Sequence, residues 1–306
     1  MSELTITRHI NFYPIISMAI AGLTPHTQRA YEKSLIEFMA WYAASGRPQL
    51  DKATVNEYKS VLSSRGLSAA TINLRLSAIR KLASEAADNG LIDQTLAAGI
   101  GRVKGVKAQG VRAGNWLTLD QAQALINAPD VATLKGLRDR SILAVLLGCG
   151  LRRAELAALT FDHIQQRDGR WVIVDIIGKG GRVRTIPMPS WAKAAVDSWA
   201  ERLIWTTGNV FYSFRKGDHL DMAGMTPQAV RDVVVEYSQS LGFVNIASHD
   251  LRRTFAKLAH KGGSGLDQIQ LSLGHASIQT TERYLGVTQN LTDAPCDHLG
   301  LHFSKP

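Results

Sequence analysis

Apolar residues recur at helical spacing through the first third of the chain, and then the rhythm breaks. Tyr31, Leu35, Phe38 and Tyr42 fall on one stripe, the pattern of a helix with a single buried face. Thr24 offers a capping hydroxyl and Pro25 a φ already fixed for the first helical position, so this helix is predicted to start there. Val55, Tyr58 and Leu62 predict a shorter helix. A third begins at the Ser68 cap, turns Ile72, Leu76, Ile79 and Leu82 inward and closes at Gly90. Its opposite face carries Asn73, Arg75, Arg80 and Lys81, residue types that either solvate a surface or contact a polyanion.

Between Gly99 and Gly114 the periodicity stops. The segment GIGRVKGVKAQGVRAG is rich in glycine and carries Arg102, Lys104, Lys107 and Arg112, which reads as a flexible basic linker. A chain of 306 residues is long enough for two cores. The predicted organisation is therefore a helical domain over 1–101, a linker over 102–114 and a second domain over 115–306. The second opens with Thr118-Leu119-Asp120-Gln121, a capping box, and continues with an apolar helix from about Leu137 to Gly148. Further helices are predicted from caps at Ser190, Thr226 and Ser248, with Pro227 in the first position of the second of them. Residues 171–188, WVIVDIIGKGGRVRTIPM, differ: two β-branched runs flank Gly178-Lys179-Gly180-Gly181, a hairpin signal. The expected fold class is mainly α, the second domain being mixed α/β with a small antiparallel sheet.

Composition narrows the function classes. The net charge is +9; residues 1–115 hold 14 Lys+Arg against 8 Asp+Glu, and the remaining 191 hold 21 against 18. The smaller, N-terminal part is the more basic, as expected of a part that grips phosphates and equally of a solvated basic surface. Cys149 and Cys296 form no CxxC pair, which argues against a disulfide framework and against a structural zinc site. Cys296, His298 and His302 are only loosely ligand-like in spacing, so no metal and no cofactor is expected, and docking on a neighbour is the better reading of the tail. No apolar run is long enough to span a bilayer and no leader is evident, so the expected location is the cytoplasm.

Candidate chemistry sits in three places. S-H-D-L-R-R-T-F-A sets His249 and Arg252 three positions apart at the start of a helix, so both face one way. If Ser248 caps that helix, an anion would meet imidazole, guanidinium and the helix N-terminus together. Upstream, G-C-G-L-R-R-A-E-L spaces Arg152 and Glu155 for one helical face, where the carboxylate could steady the guanidinium. Downstream, L-G-H-A-S-I-Q-T-T-E-R-Y puts Tyr284 nine positions after His275. Singly, each has an ordinary explanation, a surface ion pair or a half-buried aromatic. Spacing alone also leaves Arg152 open against Arg153, and Arg252 against Arg253.

The ordered set Arg152, Lys179, His249-x-x-Arg252, His275, Tyr284 resembles the tyrosine recombinase (phage integrase) family over nearly the whole chain, and most closely its simple two-domain members, the Xer-like resolvases and mobile-element integrases. The resemblance selects Arg152 and Arg252. It implies an N-terminal helical SAM-like core-binding domain and a catalytic domain, closing as a C-shaped clamp on DNA. It also implies double-stranded DNA with core recombination sites as partner and a homotetramer assembled on it, and leaves open whether a second recombinase or accessory protein takes part. Asn73, Arg75, Arg80, Lys81, Lys104 and Lys107 become the DNA-contact candidates.

By the same resemblance Tyr284 attacks a backbone phosphate to give a 3′-phosphotyrosyl link, and strands exchange through a Holliday junction. Arg152 and Arg252 hold the phosphoryl oxygens, Glu155 supports Arg152, Lys179 protonates the leaving 5′ oxygen and His275 binds the phosphate. A free phenol has a pKa near ~10, so Tyr284 must shed its proton as it attacks, with His249 as a plausible acceptor. The GKGG run lies in a hairpin and not between strand and helix, which sets aside a nucleotide-binding loop. Two alternatives are a type IB topoisomerase and a non-catalytic DNA-binding factor; product topology separates the first, and the absence of a covalent adduct the second.

Overall fold

The computed structural model describes residues 13–46, 49–107, 115–178, 181–203, 205–215, 219–221 and 224–286, with Tyr284 described by its backbone alone. The chain divides into two compact units, residues 1–112 and 113–306.

The first unit is built from helices α1 (Tyr13–Ile20), α2 (Pro25–Ala44), α3 (Lys52–Ser64), α4 (Ala69–Asp88) and α5 (Gln94–Gly101). Helix α2 starts after Thr24 with Pro25 at its first position, and Leu35, Phe38 and Tyr42 are buried. Asp51 caps α3 by accepting from the Thr54 amide at 2.9 Å, and Ser68 caps α4 by accepting from that of Thr71 at 3.2 Å. On α4, Ile72, Leu76, Ile79 and Leu82 all enter the core. Burying each such side chain is worth roughly 1.5–3 kcal/mol.

The segment expected to be loose from residue 102 is docked at its start. Val103 is buried and Val106 packs against the same core. Asn73 pairs with Val106 as a strand neighbour would: its Nδ2 donates to the Val106 carbonyl at 2.9 Å and its Oδ1 accepts from the Val106 amide at 2.8 Å. Arg80 donates to the Val103 carbonyl at 2.5 Å. Gly105 is needed at this crossing, since a Cβ there would lie 2.5 Å from Asn73 Oδ1.

In the second unit α6 (Leu119–Asn127) carries the expected capping box, both Thr118–Gln121 bonds being made. Helix α7 (Leu134–Cys149) is buried on nearly every side, as a central helix requires. It ends at Gly150, whose φ of 61° is the left-handed cap that glycine tolerates. Then follow α8 (Arg153–Ala157) and the antiparallel sheet β1 (Ile164–Arg167), β2 (Arg170–Ile177), β3 (Val183–Pro187) in that order. The β2–β3 hairpin is the one expected. β1, short and polar as IQQR, is added through a turn at Asp168-Gly169, both with positive φ, a pairing favoured in two-residue hairpins.

The remaining elements are α9 (Ser190–Ala200), the two-stranded β4 (Ser213–Arg215) and β5 (His219–Asp221), α10 (Pro227–Ser240), α11 (Ser248–Lys261), α12 (Leu266–Leu273) and α13 (Ile278–Leu285). Thr226 caps α10 as expected, accepting from Ala229 at 3.1 Å. Ser190 and Ser248 are not caps: Pro189 and Ala247 occupy those positions and the serines begin the helices. At α11 the carboxylate of Asp250 takes over, accepting from the Ala247 amide at 3.0 Å. Among the described residues no helix is long and apolar enough to cross a membrane.

Candidate active site

Glu155 organises the site. The chain leaves Gly150 in extended conformation at Arg152 and turns into α8, which brings Glu155 back under Arg152. Its Oε2 accepts from the Arg152 backbone N–H at 2.8 Å and its Oε1 from the Arg152 guanidinium at 2.6 Å. Arg184, on β3, donates from both terminal nitrogens to the same carboxylate, at 3.1 and 2.7 Å, the bidentate geometry that guanidinium and carboxylate share. Arg252 approaches Oε2 to 4.0 Å. Burial alone would raise the Glu155 carboxyl; the hydrogen bonds from Arg184 and Arg152 outweigh it and pull the group down to about 2.

Helix α11 presents Arg252 inward, only 1 % exposed. Its guanidinium donates to the Gly150 carbonyl at 2.5 Å and to that of Leu273, the cap of α7 and the last residue of α12. His249 lies one turn earlier and is exposed. Partial desolvation of its ring, followed by the charges of Arg252, Arg253 and Arg152, nevertheless lowers its pKa from the ordinary histidine value, Asp250 opposing. Within each arginine pair the contacts differ. Arg153 is exposed, and Arg253 lies 3.6 Å from Asp250, whereas Arg152 and Arg252 both reach Glu155.

His275 follows Gly274, which caps α12 with φ 60°. Its Nδ1 lies 2.9 Å from the hydroxyl of Thr281 on α13, a residue with no exposed surface. Its amide donates to the Gln270 carbonyl at 3.2 Å. Desolvation first, then the positive charges of Arg252, Arg152, His249 and Arg184, pushes His275 down to about 4.

Tyr284 belongs to α13, one turn beyond Thr281. Lys179 lies outside the described residues, as do Arg112, Cys296, His298 and His302. Its neighbour Gly178 is inside: a Cβ there would be 3.1 Å from Arg184 Nη1 and 3.4 Å from Arg152 Nη1. The hairpin backbone therefore runs beside the arginines just before the lysine. Among the described residues no three His, Cys, Asp or Glu side chains are grouped to hold a metal.

The candidate DNA contacts of the first unit are far from this cluster in sequence. Asn73 and Arg80 spend polar atoms on residues 103–106, and Arg75 pairs with Glu37. Lys81 is exposed, 3.9 Å from Glu85, and Lys104 and Lys107 are exposed. The sequence reading missed Arg184 and Thr281. Arg184 had a signal: it lies two positions before buried Ile186, on the inward face of its strand, where an unpaired charge is costly.

Residues 115–290 match the phage integrase family, and residues 19–90 match the phage integrase N-terminal SAM-like domain. The tyrosine recombinase XerC of Pelobacter propionicus is 31% identical over 275 residues, covering 87% of this chain and 86% of its own length. XerD of Ralstonia nicotianae is 30% identical over 275 residues, covering 88% and 86%. Among solved structures, XerH site-specific recombinase bound to palindromic difH substrate has a TM-score of 0.68 at 21% identity, over 84% of this chain and 75% of that one. A lambda integrase dimer bound to a COC′ core site gives 0.68 at 18%, over 96% and 78%. With both family domains matched in order, and relatives aligned over most of their length, the chain belongs to the phage integrase family of tyrosine recombinases.

Proposed function

We propose that the chain cuts and rejoins DNA at specific sites, the Tyr284 hydroxyl attacking a backbone phosphate gathered by Arg152, Arg252 and His275. The observation that carries this reading is that Arg152 and Arg252 both reach buried Glu155, while Arg252 also holds the Leu273 carbonyl two residues before His275. A phosphodiester is anionic and resists attack, so charge growing on the pentacoordinate phosphorus must be met by fixed donors. Two guanidinium forks supply them, and losing either costs roughly 10²–10³ in rate. Both histidines are lowered, so at neutral pH they are uncharged. A neutral His249 takes the phenol proton. For His275, a Thr281 hydroxyl donating to Nδ1 leaves the ring proton on Nε2, where a phosphate oxygen accepts it. Lys179, carried by the hairpin beside Arg152 and Arg184, protonates the leaving 5′ oxygen.

The phosphotyrosyl ester conserves the energy of the broken bond, so the 5′ hydroxyl of a second strand reverses the step without an external energy source. Exchange of one strand pair at a time gives a Holliday junction, within a tetramer assembled on the DNA. Lys81, Lys104 and Lys107 contact the DNA backbone. The test is a suicide duplex nicked next to the crossover, carrying the site selected by this protein from random sequence. Wild type becomes covalently attached and Tyr284→Phe does not; an adduct in Tyr284→Phe removes the assignment. Relaxation of plasmids lacking that site would move the chain to the topoisomerases.

A further inference from the structure

Arg184 is the one guanidinium bound to Glu155 that the cutting reaction above leaves without a part. Each of its three nitrogens donates: the two terminal ones to Glu155, and Nε to the Ser272 carbonyl at 3.0 Å. The side chain is only 8% exposed, and each of these bonds is made to the protein itself. It therefore joins three elements, β3, the start of α8, and the end of α12 two residues before Gly274. Gly274 itself is required by this crossing, because a Cβ there would lie 2.9 Å from Arg184 Cδ and 3.2 Å from its Nε. The strap thus passes directly across the turn from which His275 projects.

We propose that Arg184 is a positioning residue for strand cutting: by gripping Glu155 with its fork and the Ser272 carbonyl with Nε, it fixes Arg152 relative to the turn that carries His275. This rests on the phosphate-transfer reading of the site. The physical case is geometric. Arg152 has one carboxylate to hold it, and that carboxylate is oriented on its far side by Arg184. Without Arg184, Glu155 could rotate toward Arg152 or Arg252, and the Ser272 carbonyl would lose its donor. A lysine offers a single compact charge and cannot span both acceptors as the planar fork does. A buried ion pair is a poor source of stability, since apolar packing often does as well; what this one supplies is an angle and a spacing.

The experiment measures single-turnover adduct formation on the nicked duplex described above, with DNA affinity in parallel, for Arg184→Met, Arg184→Lys, Arg152→Ala and the double variant Arg184→Met/Arg152→Ala. Displacement of a phosphate-binding group by an ångström costs on the order of 10²-fold in rate, so Arg184→Met should slow the adduct by about that factor while the Kd for DNA stays within about threefold. Arg184→Lys should recover about tenfold of it. In the Arg152→Ala background Arg184→Met should add less than about threefold, because the group it positions is gone. Wild-type rates in Arg184→Met, a fall in affinity matching the fall in rate, a lysine variant no better than methionine, or additive losses in the double variant would each overturn the proposal. If Arg184→Met does not fold, a folded Arg184→Lys cutting at the wild-type rate overturns it alone. An adduct in wild type with unaffected Arg184 variants sinks only this inference; no adduct in wild type sinks the reading beneath it as well.

Discussion

Replacing Glu155 by glutamine keeps the side chain's size and removes the single negative charge that faces Arg152, Arg184 and Arg252. The carboxyl titrates at about 2 in the folded chain against an ordinary 4.5. A group that binds its proton less tightly when folded contributes stability that is complete above its unfolded pKa and is lost as pH falls toward the folded one. The difference of about 2.5 units corresponds to about 3 kcal/mol at neutral pH, with little discount for screening because the side chain is only 6% exposed. Breaking a buried ion pair by removing one partner typically costs about 3–5 kcal/mol, in agreement. For a unit of this size each kcal/mol moves Tm by about 2–4 °C, so the midpoint of the second unit should drop by roughly 6–12 °C at pH 7. At pH 3 the same linkage leaves less than half of that, and the gap between variant and wild type should close in proportion. Thermal unfolding followed by circular dichroism at the two pH values decides it. A deficit absent at pH 7, or equal at both, would refute the linkage.

Two further outcomes follow from the same structure. His275, held near about 4, should show an NMR ring titration with its midpoint there. Because the unfolded chain binds that proton first, stability should rise with pH between about 4 and 6.5, and a midpoint near 6.5 would contradict the crowding by Arg252 and Arg152. Asn73→Ala should leave the Val106 amide and carbonyl without partners, costing the first unit about 1–3 kcal/mol. Hydrogen exchange at Val106 should then accelerate, and unchanged protection would show that Asn73 does not hold the segment.

Periodicity exposed the long elements because one buried stripe per helix is enough to write them into sequence: Leu35, Phe38 and Leu76, Ile79, Leu82 went where their spacing placed them. The strand β1 was invisible for the opposite reason, since IQQR is mostly exposed and owes its pairing to β2. The caps at Ser190 and Ser248 each fell one residue off, because a hydroxyl at a helix start is only one way to satisfy free amides, and Asp250 does it from inside α11. Arg152, Glu155, His249, Arg252 and His275 stood out as motifs by their spacing, and Glu155 is the group that both Arg152 and Arg252 reach. Arg184 was not, because its meaning depends on Glu155 and Ser272, 29 and 88 positions away. Asn73 was misjudged for a similar reason: a polar residue on an apparently solvated face is indistinguishable, in one dimension, from one that pins a returning backbone.

The carbonyls of Gly150 and Leu273 that restrain Arg252 have a consequence for the charge inventory. A cation can be immobilised by an acid, which cancels it, or by peptide dipoles at two helix ends, which do not. Arg252 is fixed mainly in the second manner. Among the described residues three guanidiniums therefore reach one carboxylate, and with both imidazoles neutral these arginines outnumber that acid by two. A phosphodiester carries one negative charge and gathers a second as a nucleophile adds, so the surplus matches the state between reactant and product better than it matches either.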